Sequence, residues 1–143
     1  MKDVMKTTVV YNQEDTHSES SDHIGRHLTA DLWRCAELPD EIEPLETIML
    51  NACHVAGATI IGVTSHKFEP QGVTVLVLLA ESHISIHSWP EFNYAAIDIF
   101  TCGKEMQPQA AVDYLVDRLK PEKVEAHKLI RGKNYAKYSQ PIT

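Results

Sequence analysis

Residues 81–91, ESHISIHSWPE, place a Glu–Ser peptide bond at Glu81–Ser82 ahead of His83, His87 and Glu91, and Cys102 follows in Thr101-Cys102-Gly103. These residues supply a hydroxyl beside the carbonyl that precedes it, two imidazoles that carry protons, and a carboxylate that accepts hydrogen bonds. They also supply a thiol whose ordinary pKa of about 8.5 leaves it an acid at neutral pH. Each has a plainer reading when taken singly. Glu–Ser recurs at Glu19–Ser20 in a polar stretch without a scaffold, so the dipeptide alone specifies no chemistry. His83 and His87 would share a helix face and bind zinc with Cys102, but in a strand that spacing separates them by about 13 Å. A lone cysteine is more often a small buried apolar residue than an acid. His27, His54, His66 and His127 read as packing or surface histidines, and Cys35 and Cys53 as inert thiols.

Attack of a hydroxyl on a relaxed planar peptide is disfavoured, so a scaffold must distort the bond and stabilise the oxyanion. The sequence supplies the elements for one. Alternation of Leu28, Ala30 and Leu32 with Thr29, Asp31 and Trp33 predicts a half-buried strand over 27–35. Residues 44–56 predict a helix, with Leu45, Ile48, Met49, Ala52 and Ala56 on one face, Pro44 in its first turn and Gly57 at its stop. Two β-rich runs, 59–68 and 73–80, flank the turn Glu69-Pro70-Gln71-Gly72 and predict a hairpin. A second pair, 83–89 and 94–101, surrounds residues 90–93. A helix over 108–119 then turns Ala111, Val112, Leu115 and Leu119 inward, and 122–129 predicts a last strand. The order implies an α+β fold, a two-layer sandwich of a mostly antiparallel sheet with two helices on one face. The other sheet face needs a partner or a polar surface. Strand parity adds a constraint: in a regular strand Ser82 shares a face with Ile84 and Ile86, whereas His83, Ser85 and His87 point the other way. Either the strand breaks at the scissile bond or Ser82 and His87 serve different sites.

A chain of 143 residues fits one domain. Residues 1–24 are dominated by polar side chains and read as a flexible tail, leaving 25–143 as a single domain. The net charge of −7 and the absence of a Lys/Arg run argue against nucleic-acid binding. No apolar run approaches the roughly 20 residues of a membrane helix, and residues 1–13 contain no signal-like apolar segment, so the expected location is cytoplasmic. Three cysteines without close pairing fit free thiols in a reducing compartment.

Beyond residues 81–91, Gly25-Arg26-His27-Leu28, Ser65-His66-Lys67-Phe68, Pro70-Gln71-Gly72-Val73 and Tyr94-Ala95-Ala96-Ile97-Asp98 fall in one recognisable order. From about 25 to at least 119 the chain resembles the short prokaryotic S-adenosylmethionine decarboxylases, whose proenzymes cut themselves at Glu–Ser. The resemblance implies that Ser82 attacks the Glu81 carbonyl to form an ester. Elimination and hydrolysis then leave chains 1–81 and 82–143, the second capped by a covalent pyruvoyl cofactor that forms a Schiff base with the substrate amine and withdraws electrons. It assigns His87 to accept the Cα proton during elimination, Cys102 to donate a proton after decarboxylation, and Glu91 to the substrate ribose hydroxyls. Thr74 stands where the family usually has serine, keeping a hydroxyl but adding a methyl that restricts χ1, and Val75 replaces a common glycine. The implied assembly is a homodimer with composite sites, Ser82 and Cys102 from one protomer and Thr74, His87 and Glu91 from the other. The implied small-molecule substrate is S-adenosylmethionine, for spermidine synthesis. A pyruvoyl-dependent L-arginine or L-ornithine decarboxylase, or a non-processing regulatory homologue, are the alternatives.

Overall fold

Apolar side chains at every second position bury one face of each central strand, and that face meets the helices. The computed structural model describes residues 9–13, 22–139 and 141. Among them the elements run β1 (Tyr11–Gln13), β2 (Gly25–Trp33), α1 (Ile42–Val55), β3 (Ile60–Lys67) and β4 (Val73–Leu79). They continue through β5 (Ser82–Trp89), β6 (Tyr94–Cys102), α2 (Pro108–Leu119) and β7 (Lys123–Arg131). The strands form one sheet in the order β1-β7-β2-β6-β5-β4-β3, antiparallel except where β1 runs parallel to β7. The expected α+β sandwich is what forms: α1 packs on β3, β4 and β5, α2 packs on β2, and the helices pack on each other.

In α1, Leu45, Met49, Ala52 and Cys53 are fully buried, the spacing of one helix face, and Gly57 at φ 73° takes the left-handed position that ends it. In α2, Pro108 occupies the first turn and Ala111, Val112, Leu115 and Leu119 face the sheet core. Opposite them lie Leu28, Val75, Val77, Ile84, Ile86 and Ile99, all buried. Burying one such side chain contributes about 1.5–3 kcal/mol relative to leaving it exposed.

The alternate positions form an open face that mixes polar side chains, among them Thr74, His83, Ser85, His87 and Asp98, with exposed apolar ones. Leu76, Leu78 and Trp89 are 43%, 55% and 42% exposed there, more apolar surface than an isolated sheet face would leave in water. On the same face Tyr94 stacks between Trp33 and Trp89, with ring centroids at 4.3 and 5.4 Å.

One expectation needs correcting. Residues 1–24 read as a flexible tail, yet Tyr11–Gln13 pair with Ala126, His127 and Lys128 of β7. Val9 and Tyr11 pack against the core, and burial pushes the Tyr11 hydroxyl up to about 12. A three-residue strand carries too little pattern to stand out from a polar surround; the exposed edge of β7 recruits it through backbone hydrogen bonds. Residues 1–8 and 14–21, including Glu19–Ser20, lie outside the described residues.

Candidate active site

The β4–β5 hairpin is so tight that Leu79 and Ser82 pair directly, which puts Ala80 and Glu81 at the turn and makes Ser82 the first residue of β5. Ser82 has φ 141°, a backbone region that non-glycine residues rarely enter, so strain is concentrated on the residue that follows the Glu81–Ser82 bond. Surrounding hydrogen bonds hold it there. The Ala80 N–H donates to the Thr59 carbonyl at 2.9 Å, and the Thr59 N–H donates back to the Glu81 carboxylate at 3.0 and 3.2 Å. The Glu81 carbonyl oxygen accepts from the backbone N–H of Cys102 at 2.8 Å. A fixed amide donor on the carbonyl at risk is the element an oxyanion site requires.

Cys102 ends β6 opposite Gly25, and its side chain is exposed. Gly103 follows at φ 87° with open space around it, so the backbone conformation and not crowding calls for glycine. Arg26 ties down this exit by donating to the carbonyls of Gly103 and Met106 at 3.2 and 3.1 Å. The other two thiols are buried. Burial pushes Cys35 up to about 11, and burial, with a smaller contribution from the Glu81 carboxylate, pushes Cys53 up to about 12. Both therefore stay protonated and out of contact with solvent, as their sequence reading expects.

Thr74 and His87 are direct partners across β4 and β5, and the Thr74 hydroxyl lies 2.8 Å from His87 Nδ1. This pair stands five residues along β5 from Ser82, about 16 Å by the usual strand rise. Glu91 is farther still, exposed in the short 3-10 turn Pro90–Phe92. One chain thus gathers Ser82, Glu81 and Cys102 at one end of β5 and Thr74, His87 and Glu91 toward the other. A groove of about 590 Å³ on the open face is lined in part by Leu76, Leu78, His83 and Ser85, and so begins on β5 one residue beyond Ser82.

Three contributors at Ser82 were not legible as such. The Cys102 N–H and the Thr59 N–H are backbone groups whose aim depends on register, and no side-chain type marks them. His83 was visible as a histidine, but its ring nitrogen at 3.4 Å from the Ser82 hydroxyl depends on the distorted φ of Ser82.

This separation of a strained Ser82 from a Thr–His pair is found on a chain whose residues 26–132 match the family described as S-adenosylmethionine decarboxylase. The chain belongs to that family. Among its S-adenosylmethionine decarboxylase relatives, the proenzyme of Brevibacillus brevis is 50% identical over 109 residues, covering 76% of this chain and 82% of the relative. The proenzyme of Methanococcus maripaludis is 46% identical over 110 residues, covering 76% and 90%. The crystal structure of the adenosylmethionine decarboxylase from Aquifex aeolicus superposes with a TM-score of 0.73 at 36% identity, over 78% of this chain and 93% of that one. Sequence and fold therefore agree on the family, in both bacterial and archaeal relatives. None of the helices among the described residues is long and apolar enough to cross a membrane.

Proposed function

We propose that the chain is a proenzyme that cuts itself between Glu81 and Ser82 and then decarboxylates S-adenosylmethionine, giving S-adenosyl 3-(methylsulfanyl)propylamine and carbon dioxide. The observation that carries the reading is local: a strained Ser82 follows a carbonyl that already accepts a hydrogen bond from the Cys102 N–H. The unfavourable φ of Ser82 raises the energy of the uncut chain, and the fixed donor stabilises the charge that develops as the Ser82 hydroxyl adds to the Glu81 carbonyl. These residues fit the conversion of Ser82 to a pyruvoyl group, which supplies a ketone that takes up the electrons left on the substrate Cα as carbon dioxide leaves. Cys102, exposed beside that position, returns a proton to the substrate Cα. Glu91 accepts hydrogen bonds from the ribose hydroxyls.

His87 takes the Ser82 Cα proton during processing, with Thr74 fixing its ring through Nδ1. The separation along β5 supports assigning this role to the His87 of a second protomer. The exposed Leu76, Leu78 and Trp89 support a homodimer formed across the open sheet faces, in which each site combines Ser82 and Cys102 of one chain with Thr74, His87 and Glu91 of the other.

The test is the intact mass of the purified protein under denaturing conditions. Two chains dividing at 81/82, the second lacking the serine nitrogen and reacting with hydroxylamine, are expected, together with turnover of S-adenosylmethionine. A single unbroken chain after long incubation overturns the reading, and turnover of arginine or ornithine in place of S-adenosylmethionine overturns the substrate.

A further inference from the structure

Self-cleavage begins with loss of the Ser82 hydroxyl proton, and within one chain His87 is too far along β5 to take it. His83 is in reach: its Nδ1 lies 3.4 Å from Ser82 Oγ. Its other ring nitrogen, Nε2, lies 3.8 Å from Asp98 Oδ1, and the same carboxylate oxygen is hydrogen-bonded by His27 Nε2. Arg131 offers only donors, and its Nη1 is 3.1 Å from His27 Nδ1; that nitrogen therefore accepts, and the His27 proton sits on Nε2, directed at Asp98. Asp98 is thus held from one side by His27 and offers a carboxylate to His83 from the other. A proton on His83 Nε2 points toward that carboxylate across 3.8 Å, an electrostatic contact longer than a hydrogen bond, and leaves the Nδ1 lone pair facing the serine, the tautomer a base needs. Leu78 on β4 and Phe100 on β6 flank His83 in register, and neither titrates. The arrangement is a serine, a base and an orienting carboxylate in sequence.

We propose that His83 is the general base of the first processing step, with Asp98 as its positioning residue; the proposal rests on the self-cleavage reading above. As Ser82 Oγ bonds to the Glu81 carbonyl carbon, its proton passes to His83 Nδ1, and the carbonyl π electrons move to the oxygen that accepts from the Cys102 N–H. Collapse of this intermediate breaks the bond from the Glu81 carbon to the Ser82 nitrogen. The nitrogen takes the proton back from His83 and becomes a free amine, leaving the ester. No co-reactant is consumed, and His83 ends the step unchanged. His83 of the same chain then serves ester formation, while His87 of the second protomer serves elimination.

The experiment uses the full-length His87→Ala chain, which the assignment of His87 to elimination predicts to stop at the ester, refolded into hydroxylamine at concentrations where the cleavage rate no longer depends on it. That rate is then the rate of ester formation. Adding His83→Ala is expected to slow it by about 10²-fold or more, and free imidazole to restore part of the loss, because the exposed side leaves the vacated space open. Asp98→Asn is expected to slow ester formation about 10-fold when His83 is present and to have no effect once it is alanine. His83→Gln, which keeps size without basicity, replaces the alanine variant should that one fail to fold, and is expected to be equally slow. Ester formation at an unchanged rate in both His83 variants overturns the proposal, as does a loss that imidazole leaves unmoved. If His87→Ala yields no hydroxylamine-sensitive bond and the unaltered chain also stays whole, the self-cleavage reading falls and takes this proposal with it.

Discussion

The backbone N–H of Cys102 donates to the carbonyl oxygen of Glu81 at 2.8 Å, while the Cys102 thiol stands free at the surface. One residue thus offers two separable groups, an amide suited to the proposed cleavage step and a side chain suited to the proposed later protonation. The amide is independent of side-chain type.

Cys102→Ala therefore keeps the donor and loses the acid. Cleavage at 81/82 is expected at close to the unaltered rate on denaturing gels, while decarboxylation falls by about 10²-fold or more. Loss of both together would mean that the thiol also serves cleavage.

Strain at Ser82 is open to direct measurement. Ser82→Gly and Ser82→Ala both remove the hydroxyl and are expected to remain single chains, which makes them comparable in stability. At φ 141° glycine fits and alanine does not, so the glycine variant should be more stable by about 1–3 kcal/mol, read as a higher urea midpoint. Equal midpoints would remove strain from the account of cleavage.

Thr74 and His87 test the departure from serine. Thr74→Val keeps the branched shape and deletes the hydroxyl on His87 Nδ1, so processing is expected to slow by about 10–100-fold, with ester accumulating. Thr74→Ser restores the hydroxyl without the methyl and should process at least as fast as the unaltered chain.

The proposed composite site predicts complementation. Chains carrying Cys102→Ala and chains carrying His87→Ala are each expected to be inactive, and refolding them together should regenerate one intact site per heterodimer. Activity no greater than that of the separate variants would return both residues to a single protomer.

Asp40 sets an expectation for pH. The Lys67 ammonium at 2.7 Å and the Gly72 N–H at 2.8 Å hold its carboxyl below the usual range. A depressed folded value means that the contribution to stability is fully present above the unfolded pKa of about 3.9 and is lost as pH falls through the folded value. Asp40→Asn should therefore show a lower urea midpoint at neutral pH, and the two midpoints should converge in acid well below that unfolded value. A gap that persists in acid would assign the effect to lost packing at the Gly72 turn.

Periodicity made most of the fold legible. The helix over 108–119 has the bounds expected of it, and the alternation of Leu28, Ala30 and Leu32 places β2 within two residues of its expected limits. Parity sets Ser82 and His87 on opposite faces of a regular strand, because side chains alternate with a period of two, and so poses the choice between a break at Ser82 and two separate sites. The residue types of Ser82, His87, Glu91 and Cys102, in their order, carried the family resemblance.

Other features depend on register and backbone conformation, which have no local signature in residue type. Pairing of Leu79 with Ser82 tightens the β4–β5 turn, and pairing of Gly25 with Cys102 fixes the end of β6 from which its N–H reaches Glu81. The φ of Ser82 is imposed by that turn and by the Thr59 clamp, against the preference of serine. Arg131, His27 and Asp98 come from three different strands and form a chain of contacts that ends at His83, because β7, β2, β6 and β5 are successive neighbours in the sheet. Side-chain chemistry is written residue by residue along the chain, whereas the aim of an amide or the meeting of distant strands is a property of the assembled sheet.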